Sequence, residues 1–290
     1  TCTLSTDIQI TGTGIGVNIA SSRVTLDGAG HTVTGNGIAG YDRIGITTLN
    51  QAHTQGIKNI TFDTFSYGLR SYNAQGLSIT DVTITNIGKY GIYIDSSSGL
   101  LLENNAVENR FVVSGGSSIS AHGDRSCIGT GDYVSPSMII KNNHIDGPAT
   151  LSGGTGWCID GNTITDNNMN IGGAYLNSIP TNHLIKNNIV TGGGIKIDGS
   201  GNTFDSNTVT GGTIGFHNEY RAHDNIFKNN IANDNSQHGF KFDECEGSGY
   251  PDCDTNPVTF TDNVATGNGV SDIEGYAVAV DDPLSNVDLT

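Results

Sequence analysis

The chain has 290 residues, 13 of them lysine or arginine and 29 aspartate or glutamate, for a formal charge of −16; so acidic a protein repels a nucleic-acid backbone or an anionic membrane. With 41 glycines, only 6 prolines, abundant asparagine and 35% hydrophobic residues, it carries too much turn material for a helical protein and too little apolar bulk for one thick core. A narrow core shared by many short strands fits, and no run of about 18 apolar residues offers a membrane-spanning helix.

In chain order, the first segment, TCTLSTDIQI, reads as strand. No charged segment followed by an apolar one precedes it, so a mature, secreted, extracellular or cell-surface chain is expected. Residues 24–35 (VTLDGAGHTVTG), 57–62 (IKNITF) and 77–85 (LSITDVTIT) then repeat a strand–turn unit. From residue 101 the unit sharpens. LLENNAV, IIKNNHI, CIDGNTI, LIKNNIV, TFDSNTV, IFKNNIA and TFTDNVA share an apolar residue, two variable ones, an asparagine, a variable one and a closing apolar or alanine residue. The asparagines are Asn105, Asn143, Asn162, Asn188, Asn207, Asn230 and Asn263, spaced by 38, 19, 26, 19, 23 and 33 residues. Asp63 and Val82 stand in for them in the earlier copies.

A coil of a β-solenoid takes about 19 to 26 residues, so the two longest spacings imply a coil with an extra loop or one unmarked coil. Asparagine at a fixed turn position tolerates left-handed backbone and bonds its equivalent one coil away, making a ladder. Between the asparagine units lie GIYID, GIKID and GFKFD, alternating with period two, each behind a glycine that allows a tight turn. The expected fold is all-β, a single-domain right-handed parallel β-helix over residues 1–290, of roughly ten coils and about 50 Å.

These repeats resemble the β-helix repeat proteins that include the periplasmic accessory protein of nitrous oxide reductase, archaeal and bacterial surface proteins, and carbohydrate-active β-helix enzymes. The resemblance rests on residues 24–35 and the asparagine coils, covers most of the chain, and implies the fold more than any one chemistry. A second, local similarity joins IGFHNEYRAHDN to the Y-G-F-D-P-H-E motif of secreted mannuronan C5-epimerases, and QHGF with His238 to a later segment of theirs. Here Ile214 stands at the catalytic tyrosine, His217 at the aspartate and Glu219 at the histidine, so the epimerase roles are not carried over.

Stacking places equivalent residues of successive coils about 5 Å apart, so a site can be read by aligning strands. One outward column reads Arg70, Tyr93, Ser120, Tyr175, Lys196, Gly215, Lys241, Ala279, and the next reads Tyr72, Asp95, His122, Asn177, Asp198, His217, Asp243, Asp281. This gathers Lys196, Asp198, His217, Lys241 and Asp243 into one candidate catalytic patch. Arg70, Tyr93, Asp95 and His122 form a second. A lysine or histidine there can remove the proton α to a uronate carboxylate while a cation neutralises that carboxylate. Charge-paired, solvated strand faces give the same pattern.

The loop after Asp243 adds Glu244, Glu246, Asp252 and Asp254, hard oxygen donors suited to calcium but without the spacing of a known calcium loop. No cofactor is required by the sequence. Copper would want clustered histidine or methionine, and there are 8 scattered histidines and 2 methionines. Cys245 and Cys253 bracket that loop and are expected to form a disulfide; Cys127 and Cys158 are unassigned, and the odd count leaves Cys2 free, paired internally or bonded to a second subunit. Trp157 is expected to be packed.

Two functions follow as expectations. The first is an extracellular structural or surface protein, a layer, sheath, filament or adhesin subunit, whose partner is itself, end to end or laterally, because neither end offers a capping helix. The alternative is a polysaccharide lyase or C5-epimerase acting on an extracellular uronate polymer, with a carbohydrate-binding module as the second alternative.

Overall fold

The computed structural model describes residues 1–40, 43–48, 54–115, 138–172, 182–219, 222–243, 258–275 and 278–280. These form 32 short strands and no helix. Each turn of the chain lays down three strands facing three ways, and each pairs in parallel with its counterpart one turn on. Thr25–Asp27 opens a turn on the first face, Thr32–Thr34 continues on the second, and Ile44–Thr48 closes it on the third. The third face is an 11-stranded sheet from Ile15–Ile19 to Ser271–Gly275. The other two merge into one 21-stranded sheet because Gly56–Asp63 and Ser78–Thr85 run across both. The architecture is the expected right-handed parallel β-helix, and 11 rungs give a rod of about 50 Å.

Period-two alternation explains the core. In Tyr67–Tyr72 the side chain of Leu69 is buried and that of Arg70 half-buried; in Ile195–Asp198, Ile195 and Ile197 point in and Lys196 out. Inside, aromatic rings stack coil on coil, Phe204 on Phe227 and Phe216 on Phe240, each pair 4.8 Å apart. Trp157 is buried as expected, against the ring of His183 at 4.9 Å.

The seven asparagines form an unbroken buried ladder. Asn188 donates its backbone N–H and its Nδ2 to Asn207 Oδ1 (3.0 and 2.9 Å) and the same Nδ2 to the Ile159 carbonyl at 3.0 Å; Asn207 repeats this onto Asn230. A buried amide is stabilising only when its donors and acceptors are met, and here each coil meets the previous one's. The 38-residue step is bridged directly, Asn105 to Asn143, and so is the 33-residue step, Asn230 to Asn263. The long spacings are therefore coils with extra loop, not unmarked coils.

Two readings of this turn need correction. The left-handed residues are those just before the ladder, such as Asn104 (φ 56°), Asn187 (φ 55°) and Asn229 (φ 55°). The ladder asparagine itself keeps ordinary backbone, since it must aim both amide ends along the rod. The ladder position in the earlier copy is Ile60, paired with Val82, and not Asp63, which pairs with Thr85 on the outside. Beyond the expected ladder the other corners carry their own: His183, Asn202 and Asn225 at one, Asn235 and Asn268 at another.

Candidate functional site

The third face decides the register of the candidate site. Its outward column runs Arg70, Tyr93, Val112, Thr150, Asn170, Lys196, His217, Lys241, Glu274. His217 thus stands between Lys196 and Lys241, two residues away from the expected register beside Asp198 and Asp243. The cause is Gly215. A Cβ there would lie 2.5 Å from the Gly239 carbonyl oxygen, so Gly215 and Gly239 share the tight corner. Phe216 then stacks inward on Phe240, and His217 follows outward onto Lys241.

Val112 replaces Ser120, because Phe111 and Val113 are the inward pair of that coil. Asn170 replaces Tyr175, between inward Met169 and Ile171. Glu274 replaces Ala279, which pairs with Thr259 on the first face. The next outward position holds Asp198, opposite Gly172, and continues through Glu219 and Asp243, whose backbone N–H groups bond the Ile197 and Asn218 carbonyls at 2.9 Å each.

The two columns interlock by charge. Lys196 Nζ meets Glu219 Oε1 at 2.7 Å, His217 Nε2 meets Asp243 Oδ2 at 2.8 Å, and Lys241 Nζ reaches the other oxygen of Asp243 at 3.5 Å. Three basic groups on three consecutive coils span about 10 Å, with their acids all to one side. A carboxylate on Nε2 of a neutral imidazole takes its N–H and leaves Nδ1 as the basic lone pair; Nδ1 of His217 has no hydrogen bond among the described residues. The corner behind His217 is braced from inside, Asn218 donating to the Ala222 carbonyl at 2.7 Å and accepting from Asn225 at 2.9 Å. One coil on, His238 is held at both nitrogens, by Ser271 Oγ at 2.8 Å and Glu274 Oε2 at 2.6 Å.

Three of the four residues of the second patch stand on two adjacent strands. Arg70 and Tyr93 are neighbours in the column and Asp95 stands opposite Tyr72, while His122 lies outside the described residues. Glu244, Glu246, Asp252, Asp254, Cys245 and Cys253 lie outside them too, and Asp243 is occupied by His217 and Lys241. Among the described residues no cluster of His, Cys, Asp and Glu is arranged to hold a metal. Cys158 is disulfide-bonded and Cys2 is an exposed free thiol.

Sequence reasoning overlooked Glu219 and Glu274 as partners in the site, and a tyrosine cluster around Arg70. Aligning YGLRSY with YGIYID and GFHNE with GFKFD on their glycines would have found most of them. Away from the site, burial drives the His183 imidazole down to about 3, offset in part by the Gly153 backbone.

The family model described as right handed beta helix region matches residues 2–127, 67–171 and 128–288, nearly the whole chain. The chain belongs to the right-handed β-helix family. No curated protein matches the sequence. Among solved structures, this β-helix is similar to the catalytic unit of a thermostable GH87 α-1,3-glucanase from Streptomyces thermodiastaticus, at 12% identity and a TM-score of 0.50, covering 94% of this chain and 60% of that one. It is also similar to the A-module of a mannuronan C-5 epimerase from Azotobacter vinelandii (9% identity, 99% and 90% covered, TM-score 0.48) and to a periplasmic alginate epimerase (13%, 88% and 59%, 0.45). Likeness this distant is likeness of fold. The chain spans about 60% of the length of the glucanase unit.

Proposed function

We propose that the third face of this β-helix binds a uronate-containing polysaccharide outside the cell and transfers the proton at C5 of a uronate unit. The observation that supports it is the His217–Asp243 pair with Lys196 and Lys241 in register on either side. The acids that hold these three bases sit beside the column rather than within it, so the column itself presents only basic groups to a polyanion. Lys196 and Lys241 are placed to neutralise the uronate carboxylate, which acidifies the neighbouring C–H bond, and Nδ1 of His217 is the base that takes that proton. Return of a proton from water to the opposite side of the ring, with His217 releasing the one it took to solvent, gives the C5 epimer. Departure of the O4 substituent with a proton instead gives the unsaturated sugar of a lyase. The glucanase unit of the same fold and the disulfide at Cys158, a bond of oxidising compartments, agree with this setting.

The test is incubation with polygalacturonate, polymannuronate and polyguluronate, read by ultraviolet absorbance of unsaturated ends and by NMR of C5 stereochemistry. Turnover that falls about 10²-fold or more in His217→Ala supports the assignment. No turnover on the panel, or turnover unchanged in His217→Ala and Lys241→Ala, overturns it; binding without turnover leaves a carbohydrate-binding module.

Homo-assembly is a second reading, supported by the exposed free thiol of Cys2, which can bond a second subunit. Size analysis and electron microscopy of the native protein and of Cys2→Ser test it; a monomer at high concentration under oxidising conditions excludes it.

A further inference from the structure

The third face carries a second constellation, at the other end of the same column, that the proton-transfer site does not use. On strands Tyr67–Tyr72, Tyr90–Ser97 and Arg110–Gly115, Tyr67, Tyr90 and Arg110 share one register position and Arg70 and Tyr93 the outward one. Tyr67 and Tyr90 stack at 5.3 Å; Tyr93 meets Tyr90 edge-on at 5.2 Å and Tyr72 at 5.7 Å. The Arg70 guanidinium lies 5.6 and 5.7 Å from the Tyr67 and Tyr72 rings, and that of Arg110 lies 5.7 Å from Tyr90. Between Tyr90 and Arg110 opens a cleft of about 400 Å³, with Lys89 on its wall.

Two facts separate this cluster from ordinary surface. Arg70 and Arg110 make no ion pair among the described residues, although the first face pairs lysine with acid four times over. The Nε of Arg70 is buried with no hydrogen-bond partner among the described residues, a group normally satisfied when something completes the site. In a chain of charge −16, unpaired guanidinium groups resting on tyrosines are a local basic island. The one carboxylate on these strands, Asp95, stands at the margin opposite Tyr72.

We propose that this tyrosine–arginine cluster is an anchoring subsite for a carboxylated sugar of a polysaccharide whose next units run along the column to His217. Ring faces of tyrosine suit the C–H faces of a pyranose, and the planar guanidinium suits a carboxylate. From Tyr93 to Lys196 the column takes four coil steps, about 19 Å, through Val112, Thr150 and Asn170, short side chains that add no charge to the column between the two clusters. A 1,4-linked pyranose advances by about one coil per unit, so anchor and reactive column engage together only with a chain of roughly five units or more. The proposal rests on the reading of the third face as a polysaccharide track, though not on the chemistry at His217.

The experiment is calorimetric titration with oligouronates of two to eight units, with a neutral glucan as control, on the wild type, Arg110→Gln, Arg70→Gln/Arg110→Gln and His217→Ala. Arg110 is exposed, so its variant keeps the fold even where the double variant does not. Expected are binding that weakens with added salt, a tenfold or larger loss in Arg110→Gln for chains of six or more units, a smaller loss for dimers, which keep the lysine column as an alternative, and binding within twofold of wild type in His217→Ala. Equal binding in the wild type and Arg110→Gln, or equal binding of the neutral glucan, overturns the subsite. Loss in Arg110→Gln with no turnover on any polymer defeats the proton-transfer reading alone. Turnover whose KM does not change in Arg110→Gln defeats the anchor alone.

Discussion

Two outward columns of the same rod use the same residue types in opposite ways. On the first face the column reads Asp27, Lys58, Thr80, Glu103, Lys141, Asp160, Lys186, Asp205, Lys228, Thr261. Each lysine reaches the acid of the coil before it, at 3.0, 2.8, 3.4 and 3.1 Å. Burial alone would raise the Asp205 carboxyl, but hydrogen bonds from Asn229, Lys228 and Ser206 outweigh it and hold the group below the usual carboxylate range. The column neutralises itself and tells neighbouring coils how to align. On the third face Lys196, His217 and Lys241 follow one another with no acid between them, and their partners Glu219 and Asp243 come from the adjoining position. Charge that alternates along a column is met within it; charge that repeats is met here only from the adjoining position.

The largest effect expected from this contrast is catalytic. His217→Ala should cut turnover on a responsive polyuronate by about 10² to 10⁴-fold with little change in the unfolding midpoint, whereas Lys186→Ala on the first face should leave turnover unchanged. Next comes the scaffold common to both faces. Asn207→Ala removes the oxygen that accepts two N–H groups of Asn188 and strands both in the core, and urea denaturation should report a loss of about 2 to 5 kcal/mol.

A pH experiment tests the scaffold separately. The unfolded His183 binds a proton below its ordinary 6.5, while the folded one does so only below about 3, so its contribution to stability is complete above pH 6.5 and is lost as pH falls. The slope is about 1.4 kcal/mol per pH unit. His183→Asn keeps an acceptor for the Trp157 N–H, matches Asn202 and Asn225 in its ladder, and should lose about 2 to 3 kcal/mol less between pH 6.5 and 4.5. Smallest is the first-face pair itself: Lys186→Gln should cost at most about 1 kcal/mol in the same assay.

The ladder was legible because its turn is spelled out in seven short copies, and one missing member, Val82, was correctly placed by spacing. The third-face register was not, because IGFH offers two apolar starting points. Ile214 is half-buried ahead of the corner and Phe216 is the true inward residue, so counting from the isoleucine moved His217 by two positions. Aligning GFHNE with GFKFD on the glycine separates the alternatives, and the structure gives the reason for that choice, the close approach of Gly215 to Gly239. Val112 and Asn170 were missed because residues 116–137 and 173–181, rich in tempting serine and tyrosine, follow those coils and look like strands of their own. Pairings across the rod, such as Lys196 with Glu219, cannot be read before the register is known.

The most direct test of the difference between the two columns is polyuronate affinity in Lys241→Gln and Lys186→Gln, two removals of one positive charge from two faces of one rod. If the third face is the ligand-binding column, affinity electrophoresis shows at least a tenfold loss for Lys241→Gln and wild-type retardation for Lys186→Gln. Equal retardation of the two variants contradicts the account.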